Sequence, residues 1–199
     1  MTVNATKPQR SIFLDRDGTI SPDEYGYIDH PEGYSLYHYT GEALRLLREC
    51  GFYLFIVTNQ SGIARGYFTP EQLERVHARM LELIRGEGAD IDAVFYSPYF
   101  KTGIIEPYNI DHEDRKPGIG LYQKARRRYS FRPEQSWMIG DRYTDIAFGK
   151  NAGLRTILLL TGNGKKEFYE EMPDWDIKPD FVVQDLLGAA YLIKEYFCR

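Results

Sequence analysis

Cysteine is scarce in this sequence of 199 residues: there are two, Cys50 and Cys198, and they form no CxxC or CxC pattern. Disulfide-rich scaffolds and thiolate zinc sites need several cysteines at short, regular spacings. The sequence therefore supports neither a disulfide framework nor a zinc site built from cysteine.

Long apolar runs and extended blocks of one charge are also lacking. No apolar run approaches the roughly 18 residues that a membrane-spanning helix needs, and the N-terminus has no apolar signal core. The net charge is −4, and the basic clusters at 126–128 and 165–166 are short, as is typical of solvated helix faces and loops. We therefore expect a cytoplasmic protein that binds neither membranes nor nucleic acids, and we expect a monomer.

What is present is an ordinary globular composition, with 43% hydrophobic and 27% charged residues. This length fits one domain, so we predict a single domain over 1–199 that begins with a loose polar arm at 1–10. Apolar strand-like segments alternate with segments of helical period, and this alternation predicts a three-layer α/β fold around a mostly parallel sheet. The predicted strands are 11–14, 52–57, 91–96, 136–140, 154–160 and 181–183. The predicted helices follow the N-caps Thr40 and Thr69, or span 120–129 and 185–197.

The most informative stretch is 11–19, Ser-Ile-Phe-Leu-Asp-Arg-Asp-Gly-Thr. Its apolar part predicts a buried strand that carries Asp15 and Asp17 into a loop at its carboxyl end, where open α/β sheets bind ligands. Residues i and i+2 of an extended segment point the same way, so both carboxylates are expected to face one site. Carboxylates that close together need a cation or a shared proton, and Mg²⁺ suits oxygen ligands. Taken alone, this short segment could also be a solvated turn.

A second polar segment follows the strand at 52–57. Thr58, Asn59, Ser61 and Arg65 stand there among glycines. Hydroxyl, amide and guanidinium groups can bind phosphate oxygens, and a plain loop is the alternative.

Two further segments carry charges suited to the same site. Lys116 stands between Arg115 and Pro117, just before a predicted helix, where a lysine can bridge two anions. Asp141 and Asp145 follow the fourth predicted strand. They are either further carboxylates of the site or caps of the next helix.

Taken in order, these four segments resemble the haloacid dehalogenase (HAD) superfamily of aspartate-nucleophile phosphatases. The matching residues are Phe-Leu-Asp-Arg-Asp-Gly-Thr at 13–19, Thr58-Asn59, Lys116, and Gly140-Asp141 with Asp145. Thr-Asn-Gln-Ser-Gly-Ile-Ala-Arg-Gly, Arg-Lys-Pro and Leu-Leu-Leu-Thr-Gly are similar to the group of histidinol-phosphate phosphatase and D-glycero-D-manno-heptose 1,7-bisphosphate phosphatase. The resemblance implies a Rossmann-like HAD fold with a minimal, loop-type cap.

The resemblance also implies the chemistry. Asp15 would be the nucleophile that forms an aspartyl-phosphate, and Asp17 would be the general acid and then the general base. The implied Mg²⁺ ligands are Asp15, the backbone carbonyl of Asp17, and Asp141, with Asp145 in support.

For the substrate, the resemblance implies a small phosphorylated metabolite. Thr58, Asn59 and Lys116 would neutralise the oxygens of the transferring phosphoryl group. The residues implied to contact the substrate body or a second phosphate are Ser61, Arg65 and Arg115. A sugar bisphosphate such as D-glycero-D-manno-heptose 1,7-bisphosphate is the expected substrate. Histidinol phosphate, or phosphate binding without catalysis, is the alternative.

The chain departs from this group in one loop. Heptose bisphosphate phosphatases often carry a structural zinc loop of the form Cys-x-His…Cys-x-Cys-Arg-Lys-Pro, and the corresponding positions here are Ser97, Tyr99, His112 and Asp114. Of these, His112 alone is a good zinc ligand. We expect the loop at 97–115 to border the substrate and to be held instead by apolar packing. The packing residues are expected to be Tyr99, Phe100, Ile104, Ile105 and Tyr108.

We predict that the loop at 97–114 binds no zinc. Structural zinc sites take four Cys or His ligands in a tetrahedron, whereas burial of two or three apolar side chains contributes about 1.5–3 kcal/mol each. Elemental analysis of protein purified without a chelator should find no stoichiometric zinc. Zinc bound one per chain, and lost together with the folded state on chelation, would contradict this prediction.

Overall fold

The computed structural model describes residues 9–23 and 26–197, which form a six-stranded parallel sheet in the order β3-β2-β1-β4-β5-β6. The strands are β1 (Arg10–Leu14), β2 (Phe52–Asn59), β3 (Ala93–Ser97), β4 (Trp137–Gly140), β5 (Arg155–Leu159) and β6 (Phe181–Val183). The α-helices are α1 (Thr40–Glu49), α2 (Pro70–Gly86), α3 (Gly120–Arg128), α4 (Tyr143–Asn151), α5 (Gly164–Lys166) and α6 (Leu186–Phe197). Shorter helical turns occur at Pro31–Gly33, Pro133–Gln135, Glu167–Glu171 and Met172–Asp174.

Alternate residues of β1 pack on opposite faces of the sheet, as the pleat of a strand requires. Ile12 and Leu14 belong to a core cluster with residues of α1, α2 and α6. Phe13 belongs to a second cluster, with Leu121 of α3 and Phe148 of α4. Helices therefore cover both faces, and the predicted three-layer α/β fold is confirmed.

Local signals at the helix ends are partly confirmed. Thr69 caps α2 in a capping box with Gln72, as the sequence predicts. Thr40 is not an N-cap: it is the first residue of α1, and its hydroxyl donates to the carbonyl of Ile20 at 2.9 Å. None of the helices in the described ranges has the length and apolar character needed to cross a membrane.

The predicted loose arm at 1–10 lies mostly outside the described residues. Where the description begins, Gln9 forms a bridge with Phe131, and Arg10 is already part of β1. The prediction is wrong for these two residues because their backbones are paired, Gln9 with Phe131 and Arg10 with Phe52.

The topology opens a crevice between β1 and β4. From β1 the chain moves through β2 to β3 on one side, whereas β4 to β6 extend the sheet on the other. Ligands of open α/β sheets bind at the carboxyl ends of the strands where the order reverses. Asp15 follows β1 and Asp141 follows β4, so the fold delivers both to this crevice.

The aromatic core under β1 centres on Phe13. Its ring centroid lies 5.2 Å from that of Phe55, 5.6 Å from Phe131, 5.8 Å from Tyr122 and 6.2 Å from Phe148. Phe13 is also fully buried, two residues before Asp15.

Replacing Phe13 by alanine should lower the free energy of unfolding by about 3–5 kcal/mol, because the surrounding rings cannot fill the cavity completely. Urea denaturation followed by circular dichroism measures the change. Tyr169→Ala is the control: this ring is 69% exposed, and its loss should change the value by less than about 0.5 kcal/mol. Equal effects of the two variants would contradict the assignment of Phe13 to the core.

Candidate active site

The ammonium group of Lys116 lies at the centre of the candidate site, and the residue is 2% exposed. Its Nζ donates to Asp15 Oδ1 at 2.7 Å, to Asp145 Oδ1 at 2.6 Å and to the carbonyl of Val57 at 2.7 Å. Burial lowers the pKa of Lys116, but Asp145 and Asp15 raise it more, so the pKa lies above its usual value. Lys116 is therefore a fixed positive charge.

Asn59, at the end of β2, holds the backbone of Lys116. Its Nδ2 donates to the carbonyl of Lys116 at 3.1 Å, and its Oδ1 accepts from the Lys116 amide at 2.9 Å. The sequence predicts Asn59 as a substrate-binding residue. It does line the cavity, but both ends of its amide are engaged with this lysine.

Three carboxylates form a cluster here, and two of them, Asp15 and Asp145, contact Lys116. Asp15, Asp141 and Asp145 each offer an oxygen within 4.8 Å of the others. Burial raises the pKa of Asp15 to about 7, with Lys116 opposing the shift and Asp145 adding to it. Burial, together with Asp15 and Asp145, also raises the pKa of Asp141 well above its usual value. The carboxylates outnumber the ammonium, so the cluster favours a divalent cation.

The two carboxylate oxygens of Asp141 differ in their hydrogen bonding. Its Oδ2 accepts from the amide of Asn163 at 2.7 Å, whereas its Oδ1 is buried without a hydrogen-bond partner. A buried carboxylate oxygen without a donor is costly unless a cation binds it. Oxygen donors of this kind fit Mg²⁺.

Two glycines allow the backbone to close around Asp141. A Cβ on Gly18 or on Gly162 would lie 2.3 Å from Asp141 Oδ2, and both residues have positive φ, +83° and +51°. The hydroxyl of Thr161 donates to the carbonyl of Gly18 at 2.6 Å. The loop after β5 therefore supports the loop after β1.

Asp145 serves both of the uses that the sequence left open. One oxygen accepts from Lys116, and Oδ2 accepts from the amide of Arg142 at 3.1 Å at the start of α4. Asp145 is thus a member of the acidic cluster and a cap of the next helix.

Asp17 lies beside the cluster with its carboxylate fully engaged. Arg16 donates from Nε to Oδ1 at 2.9 Å and from Nη2 to Oδ2 at 2.8 Å. Gln60 Nε2 donates to Asp17 Oδ2 at 2.9 Å and to the hydroxyl of Thr58 at 2.8 Å. Gln60 therefore joins two of the residues predicted to be catalytic.

A cavity of about 570 Å³ opens beside these groups. Every site residue predicted from the sequence lines it, except Asp141, which is buried behind it. The lining also includes residues that sequence reasoning missed, among them Arg16, Asp23, Tyr27, Gln60, Arg142 and Asn163. Arg16 and Gln60 stand inside the matched segments, which is the signal that could have found them.

Two arginines on one side of the cavity share an aromatic support. The guanidinium carbon of Arg65 lies 3.9 Å from the ring centroid of Phe100, and that of Arg115 lies 4.9 Å from it. Ser61 and Tyr27 are joined nearby, with their hydroxyl oxygens 3.0 Å apart. These contacts place two cations and two hydroxyls on the same wall.

The loop at 97–115 reaches the cavity through Arg115, but part of its predicted packing is wrong. Ile104 and Ile105 are 76% and 38% exposed. Their backbone amides instead donate to the carbonyl of Ala64 at 2.7 and 3.0 Å, which anchors this loop to the segment after β2.

The residues at the four zinc-loop positions contact one another directly. The rings of Tyr99 and His112 are stacked with centroids 3.9 Å apart, and the hydroxyl of Ser97 accepts from the Tyr99 amide at 3.4 Å. His112 Nδ1 accepts from the amide of Asp114 at 3.1 Å. That the loop binds no zinc stays a prediction.

The opposite wall is closed by a polar contact. Asp23 Oδ2 accepts from Arg142 Nη2 at 2.8 Å and from Asn163 Nδ2 at 2.7 Å. The segment after β1 therefore reaches both sides of the cavity, with Asp23 on one wall and Tyr27 on the other.

Comparison with known proteins places this geometry in a family. A model of HAD-hydrolase-like proteins matches residues 114–189. The D-glycero-beta-D-manno-heptose-1,7-bisphosphate 7-phosphatase of Pasteurella multocida is 37% identical over 187 residues, which cover 94% of this chain and 97% of the relative. The chain belongs to the HAD-superfamily phosphatases.

Further relatives agree with this family. The D-glycero-D-manno-heptose-1,7-bisphosphate 7-phosphatase of Chlorobaculum tepidum is 36% identical over 186 residues, 90% of this chain and 91% of the relative. The D,D-heptose 1,7-bisphosphate phosphatase of B. bronchiseptica, solved in complex with magnesium and phosphate, superposes with a TM-score of 0.81. It is 26% identical, and the match covers 94% of this chain and 99% of that one. The resemblance identified from the sequence is confirmed.

The raised pKa of Asp15 predicts how the free energy of unfolding of the metal-free phosphatase depends on pH. The folded-state pKa of about 7 lies above the usual 3.8, so the folded protein binds more protons than the unfolded chain between these values. The contribution of Asp15 to the free energy of unfolding is therefore most favourable below about pH 4, and it is lost as the pH rises through about 7. In chelator-treated protein, Asp15→Asn should be more stable than wild type at about pH 8, by an amount on the order of a few kcal/mol, and the difference should shrink toward about pH 4.

Urea unfolding at several pH values, with and without Mg²⁺, measures this difference. Asp174→Asn, at an exposed position, is the matched control and should follow the wild type throughout. A metal-free Asp15→Asn variant that is less stable than wild type at alkaline pH would contradict the prediction.

Proposed function

We propose that this protein is a Mg²⁺-dependent phosphomonoester hydrolase that acts on a sugar bisphosphate such as D-glycero-D-manno-heptose 1,7-bisphosphate. The observation that carries the proposal is the buried cluster of Lys116 with Asp15, Asp141 and Asp145, at the base of a cavity with arginines on its walls. The single domain predicted over 1–199 is part of the same proposal.

The first step is phosphoryl transfer to Asp15. A carboxylate oxygen of Asp15 attacks phosphorus, the bond from phosphorus to the ester oxygen breaks, and Asp17 gives its proton to the leaving alkoxide. Lys116 and the hydroxyl of Thr58 neutralise the oxygens of the transferring group. Their burial supports this role, because charges act more strongly where water is excluded.

The second step hydrolyses the aspartyl-phosphate. Asp17, now deprotonated, takes a proton from a water molecule, whose oxygen attacks phosphorus. The bond from phosphorus to Asp15 breaks, which releases phosphate and regenerates the Asp15 carboxylate, while Asp17 is again protonated for the next turnover.

The metal would be held by Asp15, by Asp141 through its unpartnered Oδ1, and by the backbone carbonyl of Asp17, with Asp145 in support. When bound, Mg²⁺ supplies positive charge that offsets the carboxylates and the phosphate together. The magnesium and phosphate in the B. bronchiseptica relative support this assignment.

The cavity walls favour a substrate with a second anionic group. Arg65 and Arg115 line one wall and Arg142 lines the other. Guanidinium groups bind phosphate oxygens through paired hydrogen bonds. The heptose bisphosphate relatives carry two phosphates on their substrate by name, which fits this distribution of charge. Histidinol phosphate carries cationic groups, which these arginines disfavour.

A phosphate-release screen with Mg²⁺ tests the function. Heptose 1,7-bisphosphate should give the highest kcat/KM, above sugar monophosphates and histidinol phosphate. Asp15→Asn should abolish turnover, because the nucleophile is lost. Asp17→Asn should lower kcat by about 10²–10⁴-fold, the range typical of general acid–base catalysis.

Asp174→Asn again serves as the matched control and should keep wild-type activity, since this carboxylate is exposed. Absence of phosphate release from every substrate would favour non-catalytic phosphate binding. Near-normal turnover by Asp15→Asn would overturn the mechanism.

A further inference from the structure

Arg16 stands between the two catalytic aspartates, and its guanidinium is buried, with the residue only 1% exposed. Two of its nitrogens, Nε and Nη2, bind both oxygens of Asp17. The third, Nη1, lies 3.2 Å from Nε2 of His77, and the guanidinium carbon is 5.8 Å from the ring centroid of Tyr34. Every nitrogen of this buried cation therefore has a partner.

His77 lies on the buried face of α2 and is 7% exposed. An arginine can only donate, so Nε2 of His77 must accept, and the ring proton is then on Nδ1. Burial and the Arg16 charge lower the pKa of His77 to about 3, which keeps the ring neutral near neutral pH. The ring also packs edge-on against Tyr96, with centroids 5.7 Å apart.

The geometry links His77 to the proposed general acid through a single residue. Arg16 and Asp17 are neighbours in the chain, and their side chains are bonded to each other. With this contact alone, the guanidinium and the carboxylate would be free to change their orientation together. The bond from Nη1 to His77 removes this freedom, because it ties the far end of the guanidinium to a helix. The planar fork of Arg16 then fixes the plane of the Asp17 carboxylate.

We propose that His77 is a positioning residue, which holds Arg16 so that Arg16 orients Asp17 toward the leaving oxygen of the substrate. The inference rests on the proposed function, in which Asp17 protonates that oxygen. His77 itself touches neither substrate nor metal in this proposal.

The test compares two substrates that differ in their need for an acid. A sugar phosphate releases an alkoxide that must be protonated, whereas p-nitrophenyl phosphate releases a stable phenolate. In His77→Leu, kcat/KM for heptose 1,7-bisphosphate should fall by about 10²-fold, the lower range of general acid catalysis, and that for p-nitrophenyl phosphate by less than about 3-fold. The parameter kcat/KM is used because it reports the first chemical step and not the later hydrolysis.

Two variants separate positioning from folding. His77→Gln keeps an acceptor near the position of Nε2 and should recover most of the loss on the sugar phosphate. Val76→Ala, at a fully buried neighbour in α2, should lower thermal stability while leaving the ratio of the two kcat/KM values unchanged. If His77→Leu does not fold, His77→Asn, whose amide is too short to reach Arg16, replaces it in the same comparison.

A selective loss on the sugar phosphate, rescued by glutamine, supports the proposal. Equal losses on both substrates, or no rescue by glutamine, would overturn it and leave His77 a structural residue. A wild-type enzyme that hydrolyses neither substrate would instead overturn the proposed function, on which this inference depends.

Discussion

Lys116 and the carboxylates around it are buried together, and neither charge is stable there without the other. Removing an ion from water costs several kcal/mol unless a partner of opposite charge is close. Asp15 and Asp145 lie within 2.7 Å of the lysine, so the cost is largely offset. The negative charge that remains on the cluster favours a divalent cation, and in the proposed function this cation and the lysine would together attract the phosphate. The electrostatic balance of this one lysine therefore underlies both the stability of the site and its chemistry.

The parallel sheet brings these charged groups together, because segments that are distant in sequence meet at the carboxyl ends of its strands. Asp15 follows β1, Asn59 ends β2 and Asp141 follows β4, while Lys116 arrives from the loop before α3. Parallel strands bring the residues that follow them to the same crevice, beyond their carboxyl ends. Asn59 links the loop before α3 to the sheet, because its side-chain amide bonds to the backbone of Lys116 and holds it beside the end of β2.

The sequence predicted the fold and the reactive core because both depend on local patterns. Apolar runs ending in charge located the strands, and the spacing of Asp15 and Asp17 located the site. The supporting residues were harder to find, because their partners are remote in sequence. The sequence around His77 indicates only a position on a helix face. Its partner Arg16 lies 61 positions away in the chain, so no local pattern indicates their contact. The packing of Ile104 was predicted wrongly for a related reason: apolar character does not show whether a loop turns a side chain toward the core or toward solvent.

The closure of Gly18 and Gly162 around Asp141 has a consequence for biosynthesis. Thr161 binds the carbonyl of Gly18 across 143 positions, and Asn163 binds Asp23 across 140. The two halves of the proposed metal pocket are therefore synthesised early and late in translation, respectively. A nascent chain that has emerged only as far as β4 carries the proposed nucleophile, Asp15, and Lys116 but not the loop that encloses Asp141. Under the proposed mechanism, phosphatase activity therefore requires a chain that has been synthesised beyond β5, and a shorter nascent chain would be inactive.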